Sequence, residues 1–111
     1  MSLANLQNVP TNAAEWAIFS FSNQDLHNRI ATSLTTGGNP VRQFILDPLS
    51  FNDPGVWLRA HQTAHDEYAS ALGIGNDDLS ILDFEDQRQV AEWITIHWSL
   101  HQQANQRLGL A

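Results

Sequence analysis

The chain contains no cysteine and no lysine. Without thiols, disulfides and thiolate metal sites are excluded, no redox compartment is indicated, and any metal has to be held by histidine or oxygen. The five basic residues, Arg29, Arg42, Arg59, Arg88 and Arg107, stand singly against twelve acidic ones, for a formal net charge of -7. A nucleic-acid interface needs a basic face carrying several cationic side chains, so that function is excluded. The acidic balance supplies solubility or, as a weaker reading, docking against a basic partner. No apolar run approaches the ~20 residues of a membrane span, and the opening "MSLANLQNVP" lacks the basic start and apolar core of a signal peptide. A chain that is neither membrane-bound nor exported is therefore expected. A glycine-rich phosphate loop, a GxSxG elbow and a cysteine nucleophile are all missing, and the expectation is that the protein is not an enzyme.

What the chain has is core material. Of its 111 residues 42% are hydrophobic, with four Trp and five Phe, enough for one domain but hardly two. Residues 1–12 read as an N-terminal arm, loose unless a neighbour holds it. Asn12 and Glu15 have the spacing of a capping box, and Trp16, Phe19, Asn23, Leu26, His27, Ile30 and Leu34 then recur at steps of three and four, which predicts a helix over 13–36. Gly37, Gly38 and Pro40 close it. "VRQFILDPLSFN", residues 41–52, reads as an extended crossover with one short strand at "FIL". Asp53 and Pro54 open a helix that runs to Leu72 and stops at Gly73. "IGNDDLSIL" follows as a solvated connection, without the ordered ligand spacing of a calcium loop. Asp83, with Asp86 in the first turn, opens a last helix over 84–108 that stops at Gly109. The fold expected is all-α, a small three-helix bundle forming a single domain over 13–111.

The last two helices repeat each other. Sliding "WLRAHQTAHDEYASALGI" from Trp57 forward by 36 positions lays it on "WITIHWSLHQQANQRLGL" from Trp93, with five identities and three close pairs in 18 positions. Helical periodicity alone would match apolar positions, but not two Trp and two pairs of His in register. The pattern indicates an internal duplication of units at about 54–74 and 84–110, taken to pack as an antiparallel helix pair related by a pseudo-twofold.

That repeat carries four of the five histidines. At about 100° per residue, His61 lies about 40° and His65 about 80° from Trp57, in the middle of the apolar stripe. His97 and His101 fall in the same way from Trp93, and His27 lies about 20° from Trp16. His61, His65, His97 and His101 are candidate ligands for zinc or another divalent ion, since histidines four apart on a helix are neighbours. The HExxH zincin motif is excluded, because Gln62 and Trp98 stand where its glutamate is required. A carboxylate-bridged diiron site is excluded as well, because Asp25 and Asp66 point about 180° away from the tryptophan stripe. Four neutral imidazoles would also leave a divalent charge uncompensated. The leading expectation is thus a buried, neutral histidine network that includes His27 and fixes helix register, with no cofactor; the metal site and a subunit contact are the alternatives. Trp98, about 140° from Trp93, is a candidate partner contact, as are Phe44 and Phe51 in the crossover.

The repeat, the acidic "DDL" connection, "LDPLSFND" and "LHNRI" together resemble a group of small proteins encoded among the structural genes of tailed bacteriophages, over about residues 16–110. The resemblance implies a multi-copy structural protein of the virion, in head, neck or tail, made in the host cytoplasm and docking on other phage structural proteins. The alternatives are a histidine-liganded metal protein and a small phage-encoded binder of a host protein.

Overall fold

The computed structural model describes residues 3–39, 41 and 54–110. Among the described residues there are three α-helices and no strand: α1 spans Ala13–Thr36, α2 Pro54–Leu72 and α3 Gln87–Leu108. The strand expected at "FIL", together with Phe44 and Phe51, lies outside the described residues. No described helix is long and apolar enough to cross a membrane.

The first helix starts where the capping box predicts. Asn12 accepts from the Glu15 amide at 2.9 Å, and the Glu15 carboxylate accepts from the Thr11 amide at 3.1 Å. The third starts three residues later than expected, because Asp86 rather than Asp83 is its cap, accepting from the Arg88 and Gln89 amides at 3.0 and 3.3 Å. Asp83 closes a turn instead, its side chain accepting from the Glu85 amide at 2.9 Å and its carbonyl from the Asp86 amide at 3.1 Å. That turn aims Phe84 at Trp16, with ring centroids 5.1 Å apart and edge to face.

The two duplicated helices also end alike. Gly73 and Gly109 both adopt left-handed backbone, with φ of 65° and 68°, and the amides that follow reach back to close the helix, Ile74 to the Ala69 carbonyl at 3.2 Å and Leu110 to that of Asn105 at 2.9 Å. This is the Schellman closure. A Cβ at either glycine meets nothing within 4 Å, so the cost of alanine there is conformational alone. Gly73→Ala and Gly109→Ala should each destabilise the fold by about 1 kcal/mol, seen as a melting point lower by roughly 4 °C. Gly75→Ala, where neither positive φ nor a close neighbour intervenes, should leave the melt unchanged or slightly raised.

The duplicated helices run parallel, not antiparallel. Trp57 meets Trp93 near their N-termini, His61 meets His97 at mid-length, and Arg107 donates to the Leu72 carbonyl near their C-termini. The pairs keep a nearly constant offset along the whole length, which only parallel helices allow. The pseudo-twofold therefore runs along the bundle axis. α1 points the same way, since its Phe19 lies on Trp93 and its His27 on His101, and residues at all three N-termini, among them Asn12, Trp16, Pro54, Trp57, Phe84 and Gln87, line one cavity. The acidic side chains of Glu15 and Asp86 sit at this end, where they oppose the positive ends of the aligned helix dipoles.

Parallel neighbours cannot be joined by a tight turn, so residues 73–86 travel back along the bundle. The return covers about 28 Å and needs roughly nine extended residues, and the connection is pinned at mid-span. Gln62 on α2 donates to the Asp77 carbonyl and accepts from the Leu79 amide. The indole of Trp93 on α3 donates to the Leu79 carbonyl at 2.9 Å. Leu79 itself is buried in the core. The arm is held in the same way: residues Leu3–Leu6 form one 3-10 turn packed on α1 and α3, and Leu6 is fully buried.

A candidate metal centre of five histidines

Every histidine of the chain is in the core. His27, His61 and His97 are 0% exposed, His101 1% and His65 6%. The duplication builds the site twice. In the first unit the Trp57 indole stacks on His61 with centroids 4.6 Å apart and planes 12° from parallel, and in the second Trp93 stacks on His97 at 4.8 Å and 11°. His61 then leans on His65, and His97 on His101, both at 4.4 Å. His27 enters from α1 and stands 4.8 Å from both His65 and His101.

The rings meet through their outer nitrogens. His61 Nε2 lies 3.2 Å from His65 Nε2 and also 3.2 Å from His97 Nε2, while His101 Nε2 lies 3.2 Å from His27 Nε2. One ring nitrogen from each of His27, His65, His97 and His101 lies within 4.8 Å of those of the other three. Of the ligand candidates named by spacing, His61, His65, His97 and His101 are thus brought together. This four-nitrogen group takes His27 in place of His61, which stands against two of its members.

Among the described residues no carboxylate enters: every Asp and Glu there is exposed or half-buried, and the titratable neighbours that shift these rings are one another. Burial first, and repulsion from His101, His65 and His61 second, hold His27 well below its ordinary pKa. Burial followed by repulsion from His101 does the same to His61, and burial followed by repulsion from His61 to His65. His97 is held down by burial and then by the other four, His101 by burial and then His65. All five are neutral at pH 7.

Hydrogen bonds serve part of this geometry. A neutral imidazole nitrogen offers one direction of bonding, either an N–H or a lone pair. His61 Nε2 has two nitrogen neighbours at hydrogen-bond distance and can serve only one of them well. The Nδ1 atoms of His97 and His101 have no hydrogen-bond partner among the described residues. A cation at the meeting point would take several lone pairs at once; tetrahedral zinc–imidazole bonds of about 2.0 Å place neighbouring nitrogens about 3.3 Å apart, a spacing that His27 and His101 meet at 3.2 Å, while the four-nitrogen group as a whole spreads over as much as 4.8 Å.

Trp98, named as a partner contact, is half-buried and packs against the core. Gln62 was not singled out by its spacing, although it ties the return connection to the helix that carries His61 and His65. Compared with known proteins, the chain matches no family, no curated sequence and no solved structure.

Proposed function

We propose that the protein is a metal-binding helical protein whose centre is the buried imidazole cluster, with His27, His65, His97 and His101 as ligands and His61 as a further donor beside them. The observation that carries this reading is the convergence of ring nitrogens: one from each of His27, His65, His97 and His101 lies within 4.8 Å of the other three, and His61 Nε2 stands 3.2 Å from those of His65 and His97. The rings are too deeply buried for a substrate to reach them, so the role is to hold an ion rather than to catalyse. A cleft lined by Ile30, Tyr68, Ile74 and Leu100 leads to His65 and His101 and gives the ion its route in. Protein purified without a histidine tag should contain about one equivalent of metal by elemental analysis. Removing it with a chelator should lower the melting point by several degrees, since a ligand at 100 times its Kd stabilises the folded state by about 2.7 kcal/mol. Metal-free protein whose melt does not respond to added divalent or monovalent transition ions would overturn the reading.

A second reading, a docking subunit of a tailed-phage particle, is supported by exposed apolar side chains. Ile18 and Phe21, three apart on α1, are 55% and 67% exposed, and Ile81 is 75% exposed. Side chains of this kind suit a protein contact better than solvent. Mass spectrometry of purified virions tests it, and the two readings are compatible, since a structural subunit can carry an ion in its core.

A further inference from the structure

A buried cluster of five neutral imidazoles, four of them with a ring nitrogen within 4.8 Å of one another, sets a condition on the ion it can hold. The energy of bringing an ion into a low-dielectric interior rises with the square of its charge, so a doubly charged ion costs about four times as much as a singly charged one of the same size. Protein sites for divalent ions usually offset that cost with a carboxylate or thiolate ligand, or keep a position open to water. The chain has no cysteine, among the described residues every carboxylate is exposed or half-buried, and the rings pack on Trp57, Trp93, Phe19 and Tyr68. The five imidazoles are 0–6% exposed, so the hydroxide that a zinc ion in an uncharged ligand set would recruit has only the narrow cleft beside His65 and His101 to reach it. Hard monovalent ions are equally unsuited, because they bind oxygen rather than imidazole. The ion that meets every condition is monovalent, accepts imidazole nitrogen, and imposes no ligand-field geometry on a donor set fixed by helix packing.

Resting on the reading of the cluster as a metal centre, we propose that this centre selects copper in its monovalent state, Cu(I), over divalent zinc. Charge explains the preference, and it extends to oxidation state: the same dry, uncharged surroundings that reject Zn(II) disfavour loss of an electron from bound Cu(I). The imidazoles of His27, His65, His97 and His101 would supply the ligands of such an ion, with His61 as the spare donor beside them.

The test is a competition titration of the full, untagged, metal-free chain, carried out without oxygen, with bicinchoninate as the competitor for Cu(I) and a chromophoric chelator as the competitor for Zn(II). One equivalent of Cu(I) should bind at least about 100-fold more tightly than Zn(II). After transfer to air, the bound copper should give no Cu(II) signal by electron paramagnetic resonance. A smaller preference, a preference for zinc, or oxidation to protein-bound Cu(II) overturns the inference and leaves the metal centre standing. Failure to bind either ion overturns the metal centre itself.

Discussion

Between pH 7.5 and 5 the metal-free protein should lose most of its stability and unfold. The unfolded chain takes up a proton at each histidine as the pH passes about 6.5, while in the folded protein all five resist protonation because burial and mutual repulsion hold their pKa values well below that. A base whose folded pKa is depressed contributes stability that is fully present above the unfolded pKa and is lost as the pH falls below it. At pH 5.5 each such histidine favours the unfolded chain by about 1.4 kcal/mol, and five together by up to about 7 kcal/mol. A domain of this size is stable by about 5–15 kcal/mol, so the acid transition belongs between roughly pH 5 and 6, above the range in which ordinary carboxylates titrate. Helical circular dichroism followed from pH 8 to 4 checks this, and the steepness of the transition should approach five protons per molecule. Bound metal should move the midpoint to lower pH, because protons and the ion compete for the same lone pairs. A melting point that stays constant from pH 7.5 to 5.5 would mean that the imidazoles are not buried in neutral form.

Much of this arrangement is legible in the residues themselves. The step of three and four that places every histidine beside a tryptophan is a property of the 3.6-residue helix, and the three helices, the glycine stops and the shared face follow from it. The direction of the second pair member does not follow from periodicity, because an apolar stripe has no polarity along its axis. Two features of the chain did carry that information. Like residues pair with like in a duplicated helix only at constant offset, and a connection from Gly73 to Asp86 is far longer than the two to eight residues that join antiparallel neighbours. The start of α3 was ambiguous for a different reason: Asp83 and Asp86 are both good caps, and what decides between them is tertiary, the docking of Phe84 on Trp16. Leu6 escaped because Leu3, Leu6 and Val9 recur at steps of three over too short and polar a stretch to announce an element. His27 was legible as a member of the network, but its place in the four-nitrogen group depends on how α1 is set against the pair, and spacing along one chain does not encode that.

The duplication also accounts for why the site is where it is. Each unit supplies one tryptophan, which stacks on the first histidine and leaves the second free to turn inward. Two parallel copies then bring four rings to one level of the bundle, and a single residue on α1 closes the set. Because the helices are parallel, each needs a long return connection, and the connection into α3 is fastened to the same tryptophan that orients His97. The core and the candidate centre are thus one structure, and a perturbation of either reaches the other through Trp93.

Replacing Trp93 by alanine should accordingly be the most damaging single change outside the histidines. Its ring stacks on His97 and contacts Trp57, Phe19 and His61, with centroids 6.2, 5.9 and 5.6 Å away respectively, and it is 4% exposed. Truncating a buried tryptophan to alanine costs about 3–5 kcal/mol, and stranding the Leu79 carbonyl adds about 1 kcal/mol or more. That is comparable with the stability of the whole domain, so Trp93→Ala should be largely unfolded at 37 °C. Trp93→Phe separates the two contributions. It keeps an aromatic ring against His97 but removes the indole N–H, and should cost only about 1–2 kcal/mol, with faster amide exchange at Asp77 to Ser80 as the return connection loosens. Urea unfolding of both variants, with hydrogen exchange of Trp93→Phe, measures each contribution. Equal losses in the two variants would show that the stacked ring contributes little and that Trp93 matters chiefly as a hydrogen-bond donor to the connection.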